Sequence, residues 1–222
     1  MKENGKRNLW IGMLLMIAFI IWTALILFVD VQPLGQNGTN IGFATFNLWF
    51  HKLTGVHMTI YTITDWLGLV PVIVCMGFGI LGLIQLVQRK SLMKVDYDIF
   101  VLGMYYIVVI VGYLVFERIP INYRPILIEG VMEVSYPSST TLLVLSVMPT
   151  LIFQVKRRVQ NHVIKTLVPI FTIAFSLFMV IGRLLAGVHW FTDIVGGVLL
   201  SAGLFYSYKA VVLLRCKELI QK

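Results

Sequence analysis

The chain is written as a series of apolar runs, each near the length of a membrane span and separated by short polar connections. That repeat constrains the fold more than any other feature. A helix rising 1.5 Å per residue needs ~20 residues to cross a hydrocarbon core, where every backbone polar group must be bonded within its own segment. Six runs fit, at about 10–29, 66–87, 99–116, 140–155, 166–182 and 194–214, the fourth and fifth at the short end of the range. The expected fold is therefore all-α, a polytopic membrane protein with six transmembrane helices forming a single membrane domain over residues 1–222. Composition agrees: with 59% hydrophobic and 13% charged residues, a soluble domain of this size would not stay in solution. The first run is longer than a signal-peptide core, and Asp30-Val31-Gln32-Pro33 offers no small-residue cleavage pattern, so it is expected to be a retained helix.

The net charge of +8 would suggest nucleic acid if it lay on one soluble face. It is distributed otherwise. Lys2, Lys6 and Arg7 precede the first run; Arg89, Lys90 and Lys94 follow the second; Lys156, Arg157, Arg158 and Lys165 follow the fourth; Lys209, Arg215, Lys217 and Lys222 close the chain. In a six-helix topology these 14 of the 18 basic residues fall on one side, which the positive-inside rule makes cytoplasmic together with both termini. No nucleic-acid partner is expected. Cys75 and Cys216 have no C-x-x-C spacing, and neither a disulfide framework nor a metal site is implied.

Lys52, Arg118, Arg124 and Arg183 remain for the opposite face, where topology does not explain them. The connection from Asp30 to about Asp65 carries Phe43, Phe46, Trp49 and Phe50 at three- and four-residue spacing, which predicts an interfacial helix at about 42–53. His51 and His57 lie there without partners at ligand spacing and are expected to be surface or interfacial residues.

Two connections on that face carry chemistry. The first contains Glu117, Arg118 and then Arg124-Pro125, and ends in Pro137-Ser138-Ser139-Thr140 at the start of the fourth helix. Arg124 beside a stiff proline can clamp an anionic oxygen, and Ser138, Ser139 and Thr140 supply hydroxyls and free N–H groups at a helix N-terminus. Standing alone, the serines would read as an ordinary N-cap. The second connection holds Arg183, His189 and Asp193. His189 and Asp193 are four apart, so the carboxylate can take one imidazole N–H and leave the other nitrogen free to attack. His189 is expected to be exposed, with both arginines converging on its ring.

These residues resemble the type 2 phosphatidic acid phosphatase family of membrane lipid phosphatases, whose three motifs read Lys-x6-Arg-Pro, Pro-Ser-Gly-His and Ser-Arg-x5-His-x3-Asp. Arg183, His189 and Asp193 match the third at full spacing, with Gly182 in place of Ser. Arg124-Pro125 matches the first, with Glu117 at the Lys position; Pro137-Ser138 matches the second, with Ser139-Thr140 where Gly-His is expected. The resemblance implies a lipid phosphatase without cofactor or metal. His189 would form a phosphohistidine with Asp193 orienting it, and Arg124, Arg183, Ser138, Ser139 and Thr140 would bind phosphate. The site would open at the extracytoplasmic face of a bacterial plasma membrane.

The departures shape the expected substrate. Thr140 cannot supply the proton that the family's histidine gives to the leaving alkoxide, a loss of ~10²–10⁴-fold in rate. A leaving lipid phosphate needs no such proton, so lipid diphosphates such as polyprenyl diphosphate are expected to be favoured. Glu117 replaces a cation with an anion unless Arg118 swings in. A rival expectation is a silent or reassigned member that binds a lipid phosphate headgroup or transfers a phospho-group. A transporter is disfavoured, because the runs carry no charge apart from Lys209.

Overall fold

A computed structural model describes residues 2–215; Cys216, Lys217 and Lys222 lie outside the described residues. Eight helices follow one another: α1 (Lys2–Phe28), α2 (Ala44–Thr54), α3 (Met58–Leu67), α4 (Leu69–Arg89), α5 (Tyr97–Arg118), α6 (Ser139–Arg158), α7 (His162–Leu185) and α8 (Phe191–Arg215). Among the described residues there are isolated β-bridges, such as Tyr123 with Val134, but no strand. Six stretches are long and apolar enough to cross a membrane, with α3 and α4 forming one of them, Met58–Arg89. The chain is an integral membrane protein of the all-α class. Large apolar side chains on its outer faces, such as Leu14, Ile73, Val108 and Phe171, are more than a third exposed, as expected where lipid is the solvent.

The second span differs from its sequence expectation by starting at Met58 rather than near Trp66. Thr59, Tyr61, Thr62, Thr64 and Asp65 interrupt the apolar window, which made the segment read as a connection. It is helical because its polar side chains have a partner: Arg183 on α7 faces Tyr61, Thr64 and Asp65. The segment 42–53 falls almost entirely on α2, where Phe46, Trp49 and Phe50 pack on one another and on Phe191.

α1 lies along α8, the pair in closest register in the bundle. Small residues permit it, since a Cβ on Gly12 would stand 2.6 Å from Ser207 Oγ and one on Gly203 would stand 2.7 Å from Met16 Sδ. Helices α5 and α6 are joined across their interface by the Tyr105 hydroxyl donating to the Ser146 carbonyl (2.9 Å) and by Tyr106 with Thr150 (2.7 Å).

At the end of the bundle where α5 begins and α6 ends, charges are gathered and paired. Asp96 accepts from Arg158 Nη1 (2.9 Å), Arg89 Nη1 (2.7 Å) and Gln85 Nε2 (2.9 Å). Asp98 pairs with Arg158 and Arg157, while Gln154 bridges Arg158 Nε (2.8 Å) and the Tyr208 hydroxyl (2.9 Å). The hydrogen bond from Arg158 holds the Asp96 carboxyl down at about 2. The opposite ends of α5 and α6 carry Glu117 and Ser138, and the candidate site is built there.

Candidate active site

The site rests on the N-terminus of α8. Asp193, in the first turn, accepts the Trp190 backbone N–H through Oδ2 at 2.9 Å, closing the helix start as the acidic member of a capping box does. Its Oδ1 accepts from Asn122 Nδ2 at 2.9 Å, which ties the α5–α6 connection to α8. The Asp193 carbonyl accepts the Ser138 N–H (3.1 Å), and the Trp190 indole donates to the Tyr123 carbonyl (2.8 Å). Two chain segments far apart in sequence thus meet around one histidine.

Contrary to the expectation of an exposed residue, His189 is 3% exposed. The turn that carries it needs Gly187, at φ +70, where a Cβ would stand 2.2 Å from the Gly55 carbonyl oxygen. His51 braces the same turn, its Nε2 lying 3.0 Å from the Gly187 carbonyl oxygen. The Nδ1 of His189 lies 3.1 Å from the Ser135 carbonyl oxygen, an acceptor, so Nδ1 carries the proton. This corrects the expected pairing with Asp193, whose Oδ2 is 3.8 Å away, beyond a hydrogen bond but near enough to act as a charge. The carboxylate is already occupied by Trp190 and Asn122, and the carbonyl takes its place.

The other ring nitrogen, Nε2, is buried and has no hydrogen-bond partner. His189 also lines a cavity of about 320 Å³ whose wall includes Tyr113, Glu117, Arg124, Glu133 and Ser139. Burial lowers the imidazole's affinity for a second proton to about 4, with the charges of Arg124 and Arg183 acting in the same direction and Asp193 opposing. The ring is neutral at physiological pH, with an unpartnered lone pair on Nε2.

The arginines are arranged differently from expectation. Arg124 lines the cavity, pairs through Nε with Glu133 Oε2 at 2.8 Å, and directs Nη1 toward the Val188 carbonyl at 3.5 Å. Arg183 does not line it. Its side chain is 2% exposed, 3.6 Å from Asp65 Oδ1 and 3.4 Å from Thr64 Oγ1, with the guanidinium over the Tyr61 ring at 4.9 Å. A buried guanidinium requires a counter-charge, and the nearest carboxylates lie on different segments, so the two arginines are held separately. Gly182 fits this arrangement, because a Cβ there would meet Thr64 Cγ2 at 2.7 Å and push α3 away from α7.

The hydroxyls divide as well. Ser138 is fully buried and caps α6, its Oγ accepting from Thr141 N at 3.5 Å. Ser139 faces the cavity of His189, whereas Thr140 lines an adjoining, largely apolar cavity of about 300 Å³ together with Asp65, Val109, Tyr113, Leu142 and Leu143. Glu117 lines the first cavity beside the Tyr113 hydroxyl; Arg118 is exposed and does not line it, so it has not swung in. Asn122, Glu133, Ser135 and the α3 partners of Arg183 escaped the sequence reading, since lone polar residues in connections carry no spacing signal. Among the described residues no group of three or more His, Cys, Asp or Glu side chains is placed to hold a metal ion.

A six-helix membrane bundle in which a buried, neutral histidine and an arginine line one polar cavity has the chemistry to receive an anionic group. The PAP2 superfamily model matches residues 99–215, over half of the chain, and the chain belongs to that superfamily. Membership supports phosphatase activity as the class of function. In fold the chain is similar to the crystal structure of a transmembrane PAP2-type phosphatidylglycerolphosphate phosphatase from Bacillus subtilis, with TM-score 0.66, 17% identity, and coverage of 92% of this chain and 96% of that one. No curated protein sequence matches.

Proposed function

We propose that the chain is a membrane lipid phosphate phosphatase that works through a phosphohistidine on His189. The observation that carries this reading is the buried, unpartnered Nε2 of His189, a residue that lines the same cavity as Arg124. A neutral imidazole whose Nδ1–H is fixed on the Ser135 carbonyl presents a lone pair to phosphorus and delocalises the charge that follows. Asp193, at 3.8 Å, stabilises that charge. Arg124 exchanges its half-exposed partner Glu133 for phosphate oxygens, which accept its guanidinium bidentately. Arg183 contributes positive charge from behind its α3 partners, and Ser139 contributes a hydroxyl and an α6 first-turn N–H.

The adjoining apolar cavity shares Tyr113, Ser139 and Leu142 with the polar one, which suits an amphiphile with its phosphate at His189 and its tail toward lipid. The positive-inside distribution supports cytoplasmic termini and an extracytoplasmic site in a bacterial plasma membrane. Thr140 supports a preference for lipid diphosphates such as polyprenyl diphosphate, because it supplies no proton and does not face the His189 cavity.

The test is phosphate release by purified protein against matched monophosphate and diphosphate lipids. Release from the diphosphate in excess of the monophosphate is expected. Binding of both without release would favour a silent lipid-phosphate-binding protein, a reading that the Arg124–Glu133 pair would then support.

A further inference from the structure

The polar cavity has lining residues that the reaction above leaves unused. Among them are Glu117, in the last turn of α5, and Tyr113, one turn before it. Glu133, the other carboxylate of the cavity, has Arg124 as its partner until phosphate replaces it, whereas Glu117 has no cationic partner within salt-bridge distance among the described residues. Glu117 is solvent-exposed, so water hydrates its charge, yet a carboxylate lining a cavity that receives a phosphate still meets a like charge there. A carboxyl that shares the cavity with the seated phosphate is placed to pass a proton to or from a neighbouring oxygen.

We infer that Glu117 is the general acid and base of this site, donating the proton that the lipid alcohol needs on leaving and recovering one from the attacking water. This rests on the phosphohistidine reading of the site. In the first step His189 Nε2 bonds to phosphorus, the phosphorus–oxygen bond to the lipid breaks, and its electron pair takes the proton of the Glu117 carboxyl, giving a lipid alcohol. In the second step the Glu117 carboxylate accepts a proton from water as the water oxygen bonds to phosphorus. The phosphorus–nitrogen bond breaks, its electron pair returns to Nε2, and inorganic phosphate departs with Glu117 again protonated.

His189, with its unpartnered Nε2, and Glu117 line one cavity of about 320 Å³, so a phosphoryl group held there has both side chains among its neighbours. Tyr113, one turn before Glu117 on the same helix, lines the same cavity. The diphosphate preference is then relative: Glu117 sustains the slower monophosphate reaction, and a leaving phosphate depends on it only in the second step.

The experiment compares the parent, Glu117→Gln and Glu117→Asp on farnesyl monophosphate and farnesyl diphosphate. Glu117→Gln is expected to cut monophosphate turnover by ~10²–10⁴-fold without weakening substrate binding, since it removes an anion from a phosphate cavity. With the diphosphate it is expected to accumulate base-stable phosphohistidine, because formation proceeds and hydrolysis stalls. Glu117→Asp should recover part of the monophosphate turnover. Parent-like turnover by Glu117→Gln on both substrates overturns the inference and leaves the proposed phosphatase standing. So does an equal loss on both substrates with weaker binding, which marks a structural residue. A parent that releases no phosphate from either lipid overturns the proposed function and this inference together.

Discussion

The two ends of α5 and α6 treat charge in opposite ways. Where α5 begins and α6 ends, Asp96 and Asp98 meet Arg89, Arg157 and Arg158, and Gln85, Gln154 and Tyr208 bond to the same cluster. Where α5 ends and α6 begins, Asn122 Oδ1, Ser135 Oγ, Arg183 Nε and His189 Nε2 are buried without hydrogen-bond partners. Leaving a buried polar atom unpaired costs about 1–3 kcal/mol each. The saturated cluster ties helices together, whereas the unsaturated one leaves polar atoms that the proposed phosphate ligand would satisfy.

Substitutions can break this contrast, and the largest effect is expected at the nucleophile. His189→Asn, whose amide can still donate to the Ser135 carbonyl, should lower phosphate release by about 10⁴-fold or more while the protein stays folded in detergent. Phosphate release near the parent rate would remove His189 from its role. Next is Arg124→Ala, which removes the guanidinium facing the cavity and should raise KM and lower kcat/KM by about 10²–10³-fold. If only thermal stability changes, the Arg124–Glu133 pair is structural.

At the saturated end Arg158→Ala should do the reverse. It leaves Asp96 and Asp98 each short of a charged donor and should destabilise the protein by about 1–3 kcal/mol, with kcat unchanged in molecules that remain folded. A catalytic loss without loss of stability would couple the two ends and contradict the division drawn here.

Asp193→Asn is expected to be milder than loss of the nucleophile, about 10- to 10²-fold in kcat. In serine proteases the equivalent change is severe because the carboxylate sets the tautomer; here the Ser135 carbonyl does so. The smallest effect concerns pH. Since burial lowers the His189 pKa to about 4, the ring stays neutral and nucleophilic as pH falls through the usual histidine range, and the acid limb of kcat/KM should lie near pH 4 rather than near 6.5. The unfolded chain takes up this proton first, so His189 lowers stability progressively as pH drops from about 6.5 toward 4. An acid limb near 6.5 would place His189 in a more hydrated setting.

The legibility of each part follows from how local its signal is. Apolar run length made the six spans readable, since the bilayer imposes it on each segment independently. The early start of the second span was hidden because Thr59, Tyr61, Thr64 and Asp65 look like a connection until Arg183, far along the chain, is placed against them. His189 and Asp193 were legible by their spacing of four, but the bond expected between them does not form, because Asn122 and Trp190 take the carboxylate and the Ser135 carbonyl takes the ring N–H. The arginines were legible as residues unexplained by topology. Their carboxylate partners were not, as Glu133 and Asp65 lie in segments with no motif. Thr140 was read as part of the phosphate site from its place in Pro-Ser-x-x, whereas the rotation of α6 turns it toward the apolar cavity.

The central claim, that His189 carries the phosphoryl group covalently, is tested most directly by trapping. Purified protein is mixed briefly with a radiolabelled lipid diphosphate, quenched in alkali, where phosphohistidine survives, and digested to locate the label. Label on the peptide containing His189, absent from His189→Asn and chased away by unlabelled substrate at the rate of phosphate release, is the predicted result. Phosphate release by the parent with no protein-bound label at any time, or with label that persists in His189→Asn, would contradict it.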